Sequence, residues 1–548
     1  MEISKHSLPQ ITPEILKKLT SEELLQLSIK MLNDLKELHD RLNQNSSNSS
    51  RPPSSIPPWE KDKSDKNNEH TESTSIEKGE EDKTENKNKN KNQSNQSNEP
   101  NSEDLDTDIK ILKEFFSKNK NAKESPARKA GKQKGSTGFG RTWNPEVTEA
   151  AVHCALDGCV VCNALLSPIN NIPYTKFNQL DIRLGNTAQP GLEVIVTPHI
   201  LYDNTCSHCG HQNRYDPRTG LMNNQTQLSE WRWIGPCLAA LIVHLKMDFR
   251  LPIRKIQELL YYFGIQLSTG VIQECYEESG VAVASLEKPI VEILIQESLV
   301  HADETIWLEK SKTLWLWIFN AISVVYFCVG KRTKEQLQKI LNASFSGWLM
   351  TDGYGAYRHY EKRLRCWAHL LRKARGLADS CDLTAQEFGL FTLDILNICM
   401  NAVYDWRKES NSLEKTDMLT DKLNFILEEF KLMCKKYGGV SHEKTKNLAK
   451  EFLNDWDAIF RVLQHPYLPL TNNEAERGLR PWVLLRKICF GSKSRHGTKT
   501  FTLLASVIGT CRKRAVNSIN FLADAILSAR RGLPLEMIPN NFQCINKM

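Results

Sequence analysis

Between Ser298 and Asp352 three short apolar runs follow one another, SLVHADETIWLEK, TLWLWIFNA and SVVYFCVG. A stretch of helical period, Thr333 to Leu341, comes next, and then a fourth run, GWLMTD. Runs rich in Val, Ile, Trp and Phe with turns between them read as strands. Three antiparallel strands, a crossover helix and a further parallel strand leave few topologies open, and the order is that of a ribonuclease-H-like fold. In that topology the first and fourth strands are neighbours, so Asp303 in the first and Asp352 at the end of the fourth meet in space. An aspartate at a strand end is often only a turn cap. Asp303, however, lies inside an apolar strand, where an unpaired charge is costly. Paired carboxylates there suit two hard Mg²⁺ (or Mn²⁺) ions about 3.5–4 Å apart, which activate a water or a 3′-hydroxyl and stabilise the leaving oxygen of a phosphodiester.

A third carboxylate completes such a cage, and TNNEAERGLRPWVLLRK offers two. Thr471-x-x-Glu474 has the spacing of a capping box, which gives Glu474 a structural task at a helix start. Successive helical residues turn about 100°, so Glu474 and Glu476 point about 200° apart and only one faces the strands. Glu476 shares a face with Leu479 and Val483 and is the choice; Glu474 is held in reserve. The cations Arg477, Arg480, Arg486, Lys487, Lys493 and Arg495 follow closely and suit DNA phosphates. Residues 379–464, between the second acid and the third, are helical by pattern, an all-helical insertion. Cys366-Trp-Ala-His369 stands at its mouth. Without a partner pair it is a poor zinc knuckle; the readings are His369 near the acids, Trp367 stacking on an unpaired base, or a plain strand-to-helix junction.

Upstream, Cys159-Val-Val-Cys162 and Cys206-Ser-His-Cys209 are two CxxC pairs separated by strand-like sequence. Two such pairs can give four thiolates to one structural Zn²⁺ at about 2.3 Å, with His153, Cys154, His208 and His211 as nearby alternates. Fifteen cysteines with only these two pairs argue for free thiols and a metal site in a reducing compartment rather than a disulfide framework. Ile253 to Glu278 has the pattern of a helix-turn-helix, but its second helix, GVIQECYEESG, is acidic and so is assigned to packing rather than to base reading. Leu25, Leu32, Leu35 and Leu42 form the seam of a short coiled coil. The polar tract beyond Asn43 cannot form a core, and the basic stretch from Lys118 to Arg141 suits an arm along phosphates. The net charge of +7 is only a weak pointer to nucleic acid. No window reaches the roughly 20 apolar residues of a membrane span, and the first residues lack a signal-peptide pattern. A soluble, cytoplasmic protein is expected.

HADETIW, TDGYGAY, CWAHLLRKAR and TNNEAERGLRPWVLLRKICFGSKSRHG resemble the signature blocks of the transposases of insertion sequence family 66. The coiled coil, the NQNSSNSSRPPSS segment, the double CxxC and LPIRKIQELLYYFGIQLSTGVIQE fall in that family's order. The resemblance implies a zinc-binding DNA-recognition region and a ribonuclease-H-like core interrupted by a helical insertion. It also implies cutting and joining of element ends by a DDE triad, carried here onto Asp303, Asp352 and Glu476. Its partners would be double-stranded DNA (terminal inverted repeats and target), a second copy of the chain, accessory proteins of the same element, and by location the bacterial nucleoid.

The expected organisation is multidomain α+β. Residues 1–45 are a coiled-coil helix, 46–142 a disordered linker with a basic arm, 143–225 a zinc-ribbon-like region, and 226–297 a helical, helix-turn-helix-like region. The ribonuclease-H-like core occupies 298–378 and 465–500, with the insertion at 379–464 and a helical segment at 501–548. Two other functions compete: an inactive DNA-binding remnant of a transposon, and a structure-selective nuclease such as a junction resolvase.

Overall fold

The computed structural model describes residues 20–42, 143, 145–185, 188–215, 232–310, 312–408 and 414–540. The linker and the basic arm lie outside the described residues; of the seam, the side chains of Leu25, Leu32 and Leu35 are described and that of Leu42 is not. The protein is mixed α+β, and its described residues fall into two compact units, 20–42 with 366–470 and 143–365 with 471–540. Helix α1 (Ser21–Leu42) belongs to the first unit. It buries Leu27 and leaves Leu25, Ile29, Leu32 and Leu35 exposed.

The second unit begins with a small sheet. Strands β1 (Val152–Cys154), β2 (Asn171–Leu184), β3 (Leu192–Thr205) and β4 (Gln212–Arg214) assemble around β3, which pairs antiparallel with β2 over its whole length, parallel with β1 and antiparallel with β4. Helices α2 (Pro236–Met247), α3 (Ile253–Tyr262), α4 (Thr269–Ala282) and α5 (Glu287–Gln296) follow. Asp181 of β2 accepts the N–H of Leu238 at 2.7 Å and so serves the start of α2, whose own N-cap, Gly235, has no side chain to offer. Gly235 is required there, since a Cβ would come 2.1 Å from the Asp181 carboxyl carbon.

The α3 and α4 pair has the turn that the helix-turn-helix pattern suggested, and α4 is largely buried, with Ile272, Cys275, Tyr276, Glu278 and Ser279 facing inward.

The main sheet contains β5 (Leu299–Glu309), β6 (Lys312–Ala321) and β7 (Val325–Gly330), then helix α6 (Lys334–Ile340), then β8 (Trp348–Thr351) and β9 (Arg363–Arg365). The strand order is β7-β6-β5-β8-β9. The first three strands pair antiparallel and the β5–β8 and β8–β9 ladders are parallel. The apolar runs explain this: parallel strands need both faces covered, and Val300, Ala302, Leu349 and Met350 are fully buried.

In the first unit α7 (Trp367–Ala378), α8 (Leu383–Lys408), α9 (Glu414–Tyr437), α10 (Glu443–Asn454) and α11 (Trp456–Gln464) enclose a core of their own around Phe388, Phe430, Phe452 and Phe460. The chain then returns to the second unit as α12 (Asn473–Cys489), α13 (Arg495–Lys513) and α14 (Ser518–Arg531). Helix α13 covers the edge strand β7, where the Val325 and Phe327 N–H groups donate to the hydroxyls of Thr510 at 3.2 Å and Ser506 at 2.9 Å. An otherwise open sheet edge is thereby satisfied. Helix α14 is clamped to α4 by a buried bidentate pair, Arg530 to Glu278 at 2.8 and 3.0 Å. Among the described residues no helix is long and apolar enough to cross a membrane.

Candidate active site and metal centre

The parallel ladder of β5 and β8 aligns Leu299 with Trp348, Val300 with Leu349 and His301 with Met350. Two positions further on stand Asp303, within β5, and Asp352, the residue just past the end of β8, whose charge acts on Asp303. Their backbones help to fix them: Asp303 Oδ1 accepts the N–H of Glu304 at 2.8 Å, and Asp352 Oδ1 accepts that of Tyr354 at 2.9 Å.

Helix α12 lies over the face of β5 that carries the odd-numbered side chains. Its N-cap is Asn472, whose side chain does not cap the helix but reaches across to the strand. Asn472 Nδ2 donates to the carbonyl of Ala302 at 2.8 Å, and its Oδ1 lies 3.1 Å from His301 Nδ1. Because the amide oxygen can only accept, His301 carries its proton on Nδ1. Asn320 Nδ2 donates to the Glu474 carbonyl at 2.8 Å, tying the same first turn to β6. Gly478 allows the close approach, since a Cβ there would meet Ile318 Cδ1 at 2.3 Å. The capping box of Thr471 and Glu474 is therefore not formed, because the helix starts one residue later and the capping position is given to a cross-strand tie. Glu474 is exposed and pairs with Arg477 at 3.6 Å. Glu476 is half-buried on the side toward the sheet, with Ala475, Leu479, Trp482 and Leu485 buried beside it.

The electrostatics converge on Asp303. Burial pushes its carboxyl well above the usual carboxylate range, and the charges of Asp352, Glu304 and Glu476 push in the same direction. Glu304, next in the strand, faces the other side of the sheet. Its Oε2 accepts the Tyr357 hydroxyl at 2.7 Å, and its Oε1 accepts Arg332 Nε at 2.8 Å. Burial and Asp352 nevertheless lift Glu304 to about 6. Arg332 is itself held over the rings of Trp315 at 4.4 Å and Tyr354 at 4.0 Å. The carboxylates around Asp303 thus form a mutually repelling set.

Sequence reasoning did not single out His301, Asn472, Glu304, Tyr357 or Arg332. A signal existed for Glu304, since adjacent residues of a strand point to opposite faces. Of the cations, Arg477, Arg480, Lys487, Lys493 and Arg495 are exposed, whereas Arg486 turns inward to the Thr305 hydroxyl and the Ile306 carbonyl. Trp367 is 1 % exposed, donates Nε1–H to the Ile459 carbonyl at 2.8 Å and packs edge-on against Phe460, which leaves no face for a base. His369 is half-buried in the first turn of α7.

The second constellation sits at the open end of the β2–β3 hairpin, opposite its turn. Fourteen-residue strands carry the chain out and back, so Cys159 and Cys162 before β2 meet Cys206 and Cys209 after β3. Their sulfurs lie within 4.8 Å of one another, with Cys159 to Cys209 and Cys162 to Cys206 at 3.6 Å. A zinc tetrahedron with bonds of about 2.3 Å has sulfur–sulfur edges of about 3.8 Å. Backbone N–H groups favour the thiolate in the first cysteine of each pair: the Cys162 N–H, foremost, pulls Cys159 down to about 6, and the Cys209 N–H lowers Cys206. Asn213 fixes one loop, its Oδ1 accepting the Val160 N–H at 2.9 Å. The four cysteines could therefore hold a metal such as zinc. Of the alternates, His153 bonds the Tyr202 hydroxyl at 2.6 Å, and His208 and His211 are exposed. Metal analysis should find about one zinc per chain, lost in Cys159→Ser and Cys206→Ser together with the order of the small sheet. Full zinc in a variant lacking all four thiols would place the ligands elsewhere.

Residues 232–500 match the family described as Transposase IS66 family. Three proteins of Sinorhizobium fredii are similar. The uncharacterized protein y4qI is 24% identical over 345 residues, 56% of this chain and 62% of that protein. Uncharacterized protein y4hP is 24% identical over 337 residues, 54% and 59% of the two chains, and uncharacterized protein y4jD is 26% identical over 326 residues, 53% and 61%. The matched segments thus span about six tenths of the length of these relatives.

Proposed function

Residues 232–500 belong to the IS66 family of transposases, and from that premise we propose that this chain binds the ends of an insertion sequence and cuts and joins DNA strands there. The observation that carries the reading is that the charges of Asp352, at the end of the parallel neighbouring strand, and of Glu476, on the overlying helix, both act on the buried Asp303. The order β7-β6-β5-β8-β9, with its change from antiparallel to parallel at β5, supports a ribonuclease-H-like core for this chemistry.

In this reading Asp303, Asp352 and Glu476 would hold Mg²⁺ or Mn²⁺, which supplies a Lewis acid for the attacking water or 3′-hydroxyl and for the leaving oxygen. The rest is the work of the chain itself. The N–H groups of Glu304 and Tyr354 orient two of the carboxylates. Arg332 and Tyr357 keep Glu304 engaged on the opposite face, away from the triad. Asn472 sets the start of α12 against β5 so that Glu476 arrives in register. Arg477, Arg480, Lys487, Lys493 and Arg495 line the outer side of α12 and the turn beyond it, where they would grip phosphates. Joining brings two ends together, and the exposed Leu25, Leu32 and Leu35 of α1 support pairing with a second copy through a coiled coil. Accessory proteins of the element would act in the same assembly.

Plasmid carrying the terminal inverted repeats of the element should be nicked and joined in the presence of Mg²⁺, with binding that weakens steeply as salt rises. Salt-sensitive binding with no cleavage would make the chain a DNA-binding remnant. Preference for four-way junctions over terminal repeats would make it a resolvase.

A further inference from the structure

The turn that ends α12 holds Phe490 in the left-handed region, at φ 58°. A bulky L-residue is disfavoured in that backbone, whereas glycine adopts it freely. The turn is fastened on every side. Phe490 N–H donates to the Arg486 carbonyl at 2.7 Å, Ser492 N–H to Leu308 at 2.8 Å, and Lys310 N–H to Ser492 at 2.8 Å. Trp307 Nε1–H adds a bond to the Ser492 hydroxyl at 3.2 Å. Gly491, at φ 104°, lies so close to β5 that a Cβ would meet the Leu308 carbonyl oxygen at 2.2 Å.

On this rigid base Phe490 is 56% exposed. Leu484 and Ile488 are exposed on the outer side of the same helix. Around them the surface is cationic: Arg480, Lys487, Lys493 and Arg495 are exposed and form no ion pair with an acid among the described residues. A protein partner for an apolar ring favours surroundings depleted of charge. DNA fits both features, since phosphates answer the cations and bases accept an apolar wedge between them. Helical rise places Phe490 about 21 Å along α12 from Glu476.

We infer that Phe490 is a wedge that inserts between base pairs of the bound duplex and holds the DNA locally unstacked. The inference rests on the reading of this chain as a DNA-cutting transposase and adds the contact that distorts the duplex.

The test uses the full chain with Phe490→Gly and Phe490→Asn, both compatible with the left-handed backbone. The probe is a short duplex with 2-aminopurine at regular intervals, so that binding register does not matter. Wild type should raise 2-aminopurine fluorescence on binding. Both variants should bind without that rise and with affinity lowered roughly 5- to 100-fold, the range that one base–aromatic stack carries. Their melting temperatures should equal or exceed that of wild type, Phe490→Gly most clearly. Equal affinity and equal fluorescence in wild type and variants would overturn the wedge while leaving the proposed function intact. Loss of self-association at unchanged DNA affinity would assign Phe490 to a protein contact and overturn it as well. Wild type that binds no duplex at all would overturn both readings.

Discussion

Asp303→Asn should lower strand cleavage on the order of 10³-fold or more and, in the absence of metal, should make the protein more stable. The two effects have one origin. Asp303 is desolvated and faces Asp352, Glu304 and Glu476, so its carboxyl is held well above the usual range. A carboxyl whose folded pKa is raised contributes stability that is complete below its unfolded pKa and is lost as pH rises toward the folded value. Asn is neutral throughout and escapes that loss at neutral pH. It also withdraws what would be the central donor of the proposed carboxylate cage. Calorimetry and nicking assays check both arms together. Wild type should melt higher as Mg²⁺ is added, because an ion that binds only the folded state stabilises it by mass action, whereas Asp303→Asn should not respond. A wild-type melting temperature indifferent to Mg²⁺, with nicking retained in Asp303→Asn, would remove the metal cage from the account.

The features that could be read along the chain share a physical property: they are local and periodic. The strand runs from Ser298 to Asp352 announce themselves because a strand buried on both faces must be apolar almost throughout, and Asp303 stands out against that background. The two CxxC pairs are visible because metal ligation demands a fixed spacing. Long-range ties are silent in the sequence. Asn472 reads as an ordinary residue before a helix, yet its partners His301 and Ala302 lie some 170 positions upstream, and that tie displaces the capping box. Trp367 could stack on a base as well as in a core until Ile459 and Phe460 are seen to enclose it. Arg486 was within reach of periodicity: it follows Leu479 by seven residues and Trp482 by four, the spacing of the buried face, and it does turn toward β5. In that case charge composition masked the helical phase.

The same phase argument separates Glu474 from Glu476, two acids two residues apart, one a surface charge and the other, in the proposed function, a metal ligand. Glu474 points outward and pairs with Arg477 at 3.6 Å across one exposed turn. Such a pair is worth about 0–1 kcal/mol, so Glu474→Gln should change melting temperature little and nicking by no more than a few-fold. Glu476 is about 200° further round the helix, half-buried toward β5, and its charge reaches Asp303. Glu476→Gln keeps the shape and deletes one negative ligand, so Mg²⁺-dependent nicking and joining should fall by about 10²- to 10⁴-fold. Removing a like charge from a repelling cluster should leave metal-free stability equal or higher. DNA affinity, which would reside in phosphate contacts of the outer cations, should stay close to wild type in both variants. Side-by-side nicking, Mg²⁺-dependent melting and binding curves for the two variants decide the matter. If Glu474→Gln is inactive and Glu476→Gln active, the inward face of α12 has been misassigned and the third acid is Glu474.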